Sequence, residues 1–387
     1  MAILSLRSAP LLALVACASP KTAFECTGNA SCRQGGMTGL CEETSYCSFA
    51  DATCPGGQRY GDAAGDGLGG TCVDYGPDPL GLWSRTSAVP DPRYTHATAV
   101  SGDHVYVIGG IAGPTAKNDV WRGQVDTSPI GPDKAITAWT LTTPLPELRR
   151  NMGAAVFGTS LFVIGGRVEL NPSDQGVLVS QIANDGTVGP WQPARGLPDG
   201  LRGHTVVQTD RYVYVVGGRQ PGADSARVLV ATMTDGALDE WRLAGTLSET
   251  RFNTGAVAID GFLFVFGGCV TGSGSGAQCP AMRATVEVAA IQPDGTLGPF
   301  TTTTPLPEPR WHHTAAGAKH HVYVIAGDTM STPDTTVVWS AHVNADGSLG
   351  SWRTSSPLLA GARKATSAVV GDLLLLLSQD AQAAQLQ

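Results

Sequence analysis

The chain has 387 residues, among them 49 Gly and 25 Pro, and only 15% are charged; this is length for one large repeat domain plus a small one. A formal net charge of −8, with no Lys/Arg cluster, excludes the basic face of a nucleic-acid binder. Gly and Pro alternate with β-branched runs and no long apolar pattern at i, i+3, i+4, i+7 occurs, so many short strands and little helix are predicted.

Residues 1–16 carry one positive charge, Arg7, followed by the apolar run Ala9–Ala16. The run is too short to span a bilayer as a helix and reads as a signal peptide. It ends Leu14-Val15-Ala16-Cys17, which resembles a bacterial lipobox. The resemblance implies lipid attachment at Cys17, a tether over 17–25 and a place in the bacterial cell envelope, at the outer membrane or outside the cell.

Six cysteines follow: Cys26, Cys32, Cys41, Cys47, Cys54 and Cys72. There is no Cys-x-x-Cys pair and no His in this segment, which argues against zinc. An even count in an exported chain implies three disulfides, with fifteen connectivities open. Residues 26–75 therefore form a small module ordered largely by cross-links, similar to Cys-rich leaders found ahead of assorted domains in exported bacterial proteins.

From residue 76 onward one pattern recurs. VYVIGG ends at Gly110, LFVIGG at Gly166, VYVVGG at Gly218 and LFVFGG at Gly268; VYVIAG ends at Gly327 and LLLLLS at Ser378. A short small-residue strand (a) precedes each apolar strand (b). A polar loop and a third strand (c) follow, and then a fourth strand (d) opened by Trp139, Trp191, Trp241, Phe300 or Trp352. The aromatics stand 56, 52, 50, 59 and 52 residues apart, counted from Trp83. Four short strands in a period of about fifty residues, marked by Gly-Gly and Trp, resemble kelch repeats and imply a β-propeller. The phase predicts an all-β, six-bladed ring over 76–387, because the chain enters on a spare d strand at Trp83 and leaves after a c strand. Pairing the two leaves no open edge. Asp-Gly pairs at 185, 235, 294 and 346 are expected to make c–d hairpin turns with φ > 0 at both residues.

Six Arg stand just before the a strands: Arg93, Arg149, Arg202, Arg251, Arg310 and Arg363. Alternating strand directions put these d–a connections on one face with the variable b–c loops, and that face is the expected ligand site. Guanidinium groups suit carboxylates or phosphates, although acidic residues two or three positions earlier are placed to pair with most of them. His96, His204 and His313 occupy matching positions, on alternate blades rather than together, so no metal or other cofactor is expected. Cys269 and Cys279 bracket a Gly/Ser-rich b–c loop, and a disulfide there contributes roughly 2–3 kcal/mol in the loop-entropy model. No nucleophile or phosphate-loop motif occurs, and no catalytic residue is assigned. The expected function is a surface-anchored, monomeric module binding a protein or glycan through its loop face. The alternatives are a carbohydrate-active enzyme resembling the kelch sialic-acid mutarotases and a structural envelope component.

Overall fold

The computed structural model describes residues 23–387 apart from 28–30, 43, 52, 55–57, 75–77, 129–134, 170 and 271–278. The expectations for the signal peptide and Cys17 lie outside the described residues. Two compact units are present, one ending at Val73 and one running from Asp74 to Gln387.

The first unit is built on disulfides Cys26–Cys41, Cys32–Cys47 and Cys54–Cys72. A hairpin (Arg33–Gln34 with Met37–Thr38) and a three-stranded sheet (Leu40–Cys41, Cys47–Ala50, Gln58–Tyr60) carry them. Phe49 packs between Gly39 and Gly61; a Cβ at either glycine would lie 2.7–2.8 Å from its ring.

The second unit is all β. Blade one comprises Ala97–Ser101, His104–Ala112, Thr115–Val125 and Ile136–Thr142; blade two Gly153–Phe157, Ser160–Ile164, Val177–Gln181 and Gln192–Pro193. Blade three has Thr205–Gln208, Tyr212–Val216, Arg227–Thr234 and Arg242–Thr246; blade four Gly255–Ile259, Phe262–Phe266, Val286–Ala290 and Thr301–Thr303. Blade five has Thr314–Ala318, His321–Ile325, Val338–His342 and Arg353–Thr354. Blade six takes Thr366–Val370, Leu373–Leu377 and Ala381–Leu386 from the end of the chain and Leu80–Arg85 from the beginning. Leu386 pairs with Leu80 and Ala384 with Trp83, antiparallel, so the ring closes on the spare strand as the phase of the repeat predicts.

Strand b is buried on both sides, which is why it reads as an unbroken apolar run. Its period of two divides its side chains between neighbouring blades. In blade two, Leu161 and Val163 pack on blade one, while Phe162 and Ile164 pack on blade three. In blade four, Leu263 and Val265 face blade three and Phe264 and Phe266 face blade five. Six such apolar clusters fill the six interfaces between blades.

The tryptophans tie the outer edges together. Each of the five in or beside a d strand donates its indole N–H to a carbonyl of the preceding blade: Trp139 to Ser87 (2.9 Å), Trp191 to Thr143 (3.0 Å), Trp241 to Arg195 (3.0 Å), Trp352 to Thr304 and Trp83 to Ser356 (both 3.1 Å). Trp83 and Trp139 lie within their d strands rather than opening them.

The c–d turns differ from expectation in detail. Only Asp235-Gly236 has φ > 0 at both residues (50° and 79°). At 185, 294 and 346 only the Gly is left-handed, because each Asp carboxylate instead accepts the N–H of the residue two positions on, at 2.9 Å. That Asx turn supplies the bend with the Asp in ordinary conformation.

Candidate functional site at the channel mouth

One face of the propeller gathers the d–a connections and b–c loops. Isolated antiparallel bridges join them within a blade: Tyr94 with Ile111, Arg150 with Arg167, Arg202 with Arg219, Phe252 with Cys269 and Trp311 with Asp328. Loop and connection therefore form one rim around the axis. The disulfide Cys269–Cys279 lies on it in blade four.

Inside the rim runs a closed circle of six residues, one per blade: Thr95, Asn151, Gly203, Asn253, His312 and Lys364. All six are left-handed, with φ between 48° and 58°. The N–H of each donates to the carbonyl of its predecessor at 2.8–3.2 Å, and Thr95 N–H closes the circle on Lys364. A non-Gly residue in this conformation costs of order 1–3 kcal/mol. Here each strained residue satisfies one donor and one acceptor of its neighbours.

The structure places the six predicted Arg in two groups. Arg93, Arg149, Arg251 and Arg310 are 0–2% exposed and are engaged inside their blades. Each donates Nη1 to the carbonyl sixteen residues on: Gly109, Gly165, Gly267 or Ala326, at 2.7–3.2 Å. Acidic partners complete them: Asp119 for Arg93, Asp174 and Glu147 for Arg149, Glu287 and Glu249 for Arg251, and Glu308 for Arg310. Arg310 also lies 3.7 Å above the Trp339 ring. These four guanidinium groups hold the d–a turn against the Gly-Gly bend and are closed to a ligand on the face.

Arg202 and Arg363 stand one residue later in their blades. The buried position is filled there by Leu201 and Ala362, whose carbonyls accept the Gly166 and Gly327 N–H just as Arg149 accepts that of Gly110. Arg202 is half-buried, with Nη1 on the Pro172 carbonyl (2.7 Å). Arg363 is 49% exposed and pairs with Asp334 at 3.2 Å.

The three predicted His join blades. His204 Nε2 lies 3.1 Å from the Ile164 carbonyl, His313 Nε2 accepts the Gly255 N–H at 3.0 Å, and His96 Nε2 meets Thr366 Oγ1 at 2.8 Å. Burial lowers them to about 4, 3 and 3, so all are neutral at pH 7. Among the described residues the only grouping with metal-ligand spacing is Cys26, Cys32 and Cys47, which are disulfide-bonded.

Two further features stand out, of whose residues the sequence pointed only to Arg202. The first is a cationic arc on blades two and three: Arg150, Arg167, Arg202 and Arg219. Arg219 pairs with Asp224 at 3.3 Å. Among the described residues no carboxylate lies within 4.0 Å of the guanidinium of Arg150, Arg167 or Arg202. Burial first, and then mutual repulsion, lower Arg150 (beside Arg167) and Arg202 (beside Arg219, Arg167 and Arg150) from the ordinary value. Beside them lies an aromatic pair: the Arg219 guanidinium is 5.0 Å from the Phe252 ring, and Phe252 packs edge-on to Trp311, both rings buried. The second is an Asp–His pair. His312 Nδ1 lies 2.8 Å from Asp328 Oδ2, and its ring stacks on Trp311 at 3.6 Å. Burial lowers His312 to about 4.

Comparison with known proteins agrees with this geometry. A Kelch motif is matched at residues 92–122, within blade one. Alpha-scruin of Limulus polyphemus is 25% identical over 190 residues, 48% of this chain and 20% of that protein. Kelch-like protein 40 of Mus musculus is 32% identical over 202 residues, 52% of this chain and 31% of that protein. The kelch repeat and BTB domain-containing protein 12 of Danio rerio is 26% identical over 204 residues, covering 48% and 31%. The matched regions thus take in a fifth to a third of these relatives. Six blades in one phase, the strand closure and the motif match together make this chain a kelch-type six-bladed β-propeller carrying a disulfide-rich N-terminal module.

Proposed function

We propose that the propeller is a recognition module that takes an acidic segment of a protein partner on its mouth face. Kelch propellers generally mediate contact between proteins, and the arc Arg150, Arg167, Arg202 and Arg219 carries the reading for this chain. Guanidinium groups held together without enough carboxylates have a standing electrostatic demand for anions, and their planar forks accept carboxylates bidentately. The arc spans two blades, so it suits an extended segment better than a single ion.

The test is a selection from a random peptide library on the immobilised propeller. Asp/Glu-rich sequences should be enriched, and the enrichment should vanish with Arg150→Glu/Arg202→Glu. A library without acidic bias, or the same bias on the variant, contradicts the proposal.

A second proposal rests on the sequence Leu14-Val15-Ala16-Cys17: lipid on Cys17 holds the chain at a bacterial envelope membrane, since two or more acyl chains anchor a folded domain stably. Cys17→Ser should release the protein into the soluble fraction. Unchanged membrane attachment contradicts it.

A further inference from the structure

The circle of left-handed residues encloses a cavity of about 210 Å³ at the mouth of the channel, walled below by the first residues of the a strands. That is room for several ordered waters or one small organic molecule. We propose that this cavity is a binding site for a small polyhydroxy carboxylate, held by Lys364 at its charge and by His312, Asn151, Asn253 and Thr95 at its hydroxyls. The proposal goes beyond the partner-binding reading, because it uses the circle and not the arc.

Four observations carry it. First, His312 lines the cavity with its tautomer fixed. Asp328 Oδ2 accepts from Nδ1, so the carboxylate requires the proton on Nδ1 and leaves Nε2 as a lone-pair acceptor. Asp328 is itself held: its other oxygen accepts the Asp334 N–H at 3.1 Å. Burial works against its ionisation, but these hydrogen bonds outweigh it and keep the carboxyl below its ordinary range. An acceptor oriented this firmly, at a pH where the ring is neutral, suits a ligand hydroxyl.

Second, Thr95 Oγ1 is buried without a hydrogen-bond partner, on a residue 8% exposed that lines the same cavity. An orphaned buried hydroxyl costs about 1–3 kcal/mol, and rotation about the Thr95 side chain would turn it toward a hydroxyl or carboxylate bound in the cavity. Third, the circle leaves space for an amide. Gly203 has no Cβ, and one placed there would lie 2.7 Å from Asn253 Oδ1. The Asn253 carboxamide therefore lies over Gly203 at the cavity's edge. Fourth, Lys364 has no carboxylate within 4.0 Å of Nζ among the described residues. Its pKa is lowered by burial and by Arg363, and its nearest aromatic contact is Tyr94, at 5.5 Å. Lys364 lines the cavity, and a partly buried cation without a carboxylate in contact favours an anion beside it. An acceptor, amides, a hydroxyl and one cation in a space this small match a carboxylate bearing several hydroxyls.

Calorimetric titration with D-glucuronate, with glucose and acetate as controls, tests the site. The two substitutions are His312→Asn and Lys364→Asn. Asn already occupies two places in the circle and accepts the left-handed backbone, so both variants keep the fold, which thermal unfolding checks. Glucuronate should bind saturably with one site per chain. Glucose and acetate should each bind at least tenfold more weakly, and each substitution should weaken glucuronate at least tenfold. No saturable binding, glucose or acetate binding as tightly as glucuronate, or unchanged affinity in folded Lys364→Asn would overturn the proposal. An unchanged peptide selection alongside any of these results leaves the arc standing and removes the cavity site alone.

Discussion

Glu287→Ala is expected to destabilise the propeller by about 3–5 kcal/mol, the cost of leaving one member of a buried ion pair alone. Glu287 is 1% exposed and its partner Arg251 is 0% exposed. The carboxylate also accepts the Ser248 N–H at 2.8 Å, so its removal strands a donor as well as a charge. The remaining acid near Arg251, Glu249, lies at 3.4 Å and is 30% exposed, and Arg283 shares it at 2.8 Å. Glu147→Ala makes the contrast. Glu147 is 49% exposed beside Arg149, and removing an acid so placed costs about 1 kcal/mol or less. Arg149 keeps a second carboxylate, Asp174, at 2.8 Å, and the Gly165 and Gly176 carbonyls. Urea unfolding of the two variants measures the difference. Equal losses, or a Glu287 variant within about 1 kcal/mol of the parent, would show that Arg251 finds solvent on its own.

Removing residues 1–86 should abolish the closed ring, whereas removing residues 1–77 should leave it folded. The longer deletion takes the whole of Leu80–Arg85, the fourth strand of blade six. It opens the edge of Ala381–Leu386 and uncovers the cluster that holds buried Leu80 and Trp83. It also takes the indole bond to Ser356. A long exposed edge invites pairing with another chain, so the product should aggregate or dimerise instead of remaining a monomer. The shorter deletion keeps Asp78, which caps the strand by accepting the Leu80 N–H at 3.0 Å and the Ser340 hydroxyl at 3.0 Å. Size-exclusion chromatography and thermal unfolding separate the outcomes. A monomeric, cooperatively folding product of the longer deletion would mean that closure does not depend on this strand.

The ring was legible because three signals keep one phase: the apolar b strand, the Gly pair and the Trp. Each answers to a separate physical need, namely a strand buried on both faces, a left-handed bend and an indole bond across blades. The Arg series shows how a single residue type misleads. Counting seventeen back from the second Gly of the pair reaches Arg93, Arg149, Leu201, Arg251 and Arg310. Alignment on the nearest Arg instead takes Arg202, one residue off and on the other side of the turn. Burial of the other four follows from their hydrogen bonds to the bend, which sequence proximity to acids only hints at. The circle at the mouth was not legible. Asn, His and Gly favour the left-handed region, but Thr95 and Lys364 do not advertise it, and only the closed hydrogen-bonded ring explains them. The arc had a faint trace in the tandem Arg149-Arg150 and in Arg167 and Arg219, each directly after a Gly pair.

Recognition at the mouth face requires that the charge of the arc, and not charge in general, binds the partner. The deciding measurement is the affinity of an acidic peptide, taken from the library selection, for three proteins: the parent, Arg150→Glu/Arg202→Glu, and Arg122→Glu/Arg242→Glu. The last pair sits beside the c–d turns on the opposite face, where Arg122 and Arg242 reach the carbonyls of Asp185 and Asp294. The arc variant should bind at least tenfold more weakly, the opposite-face variant within twofold of the parent, and binding to the parent should weaken as salt rises. Equal losses in both variants, or an arc variant that binds like the parent, would contradict recognition by the arc.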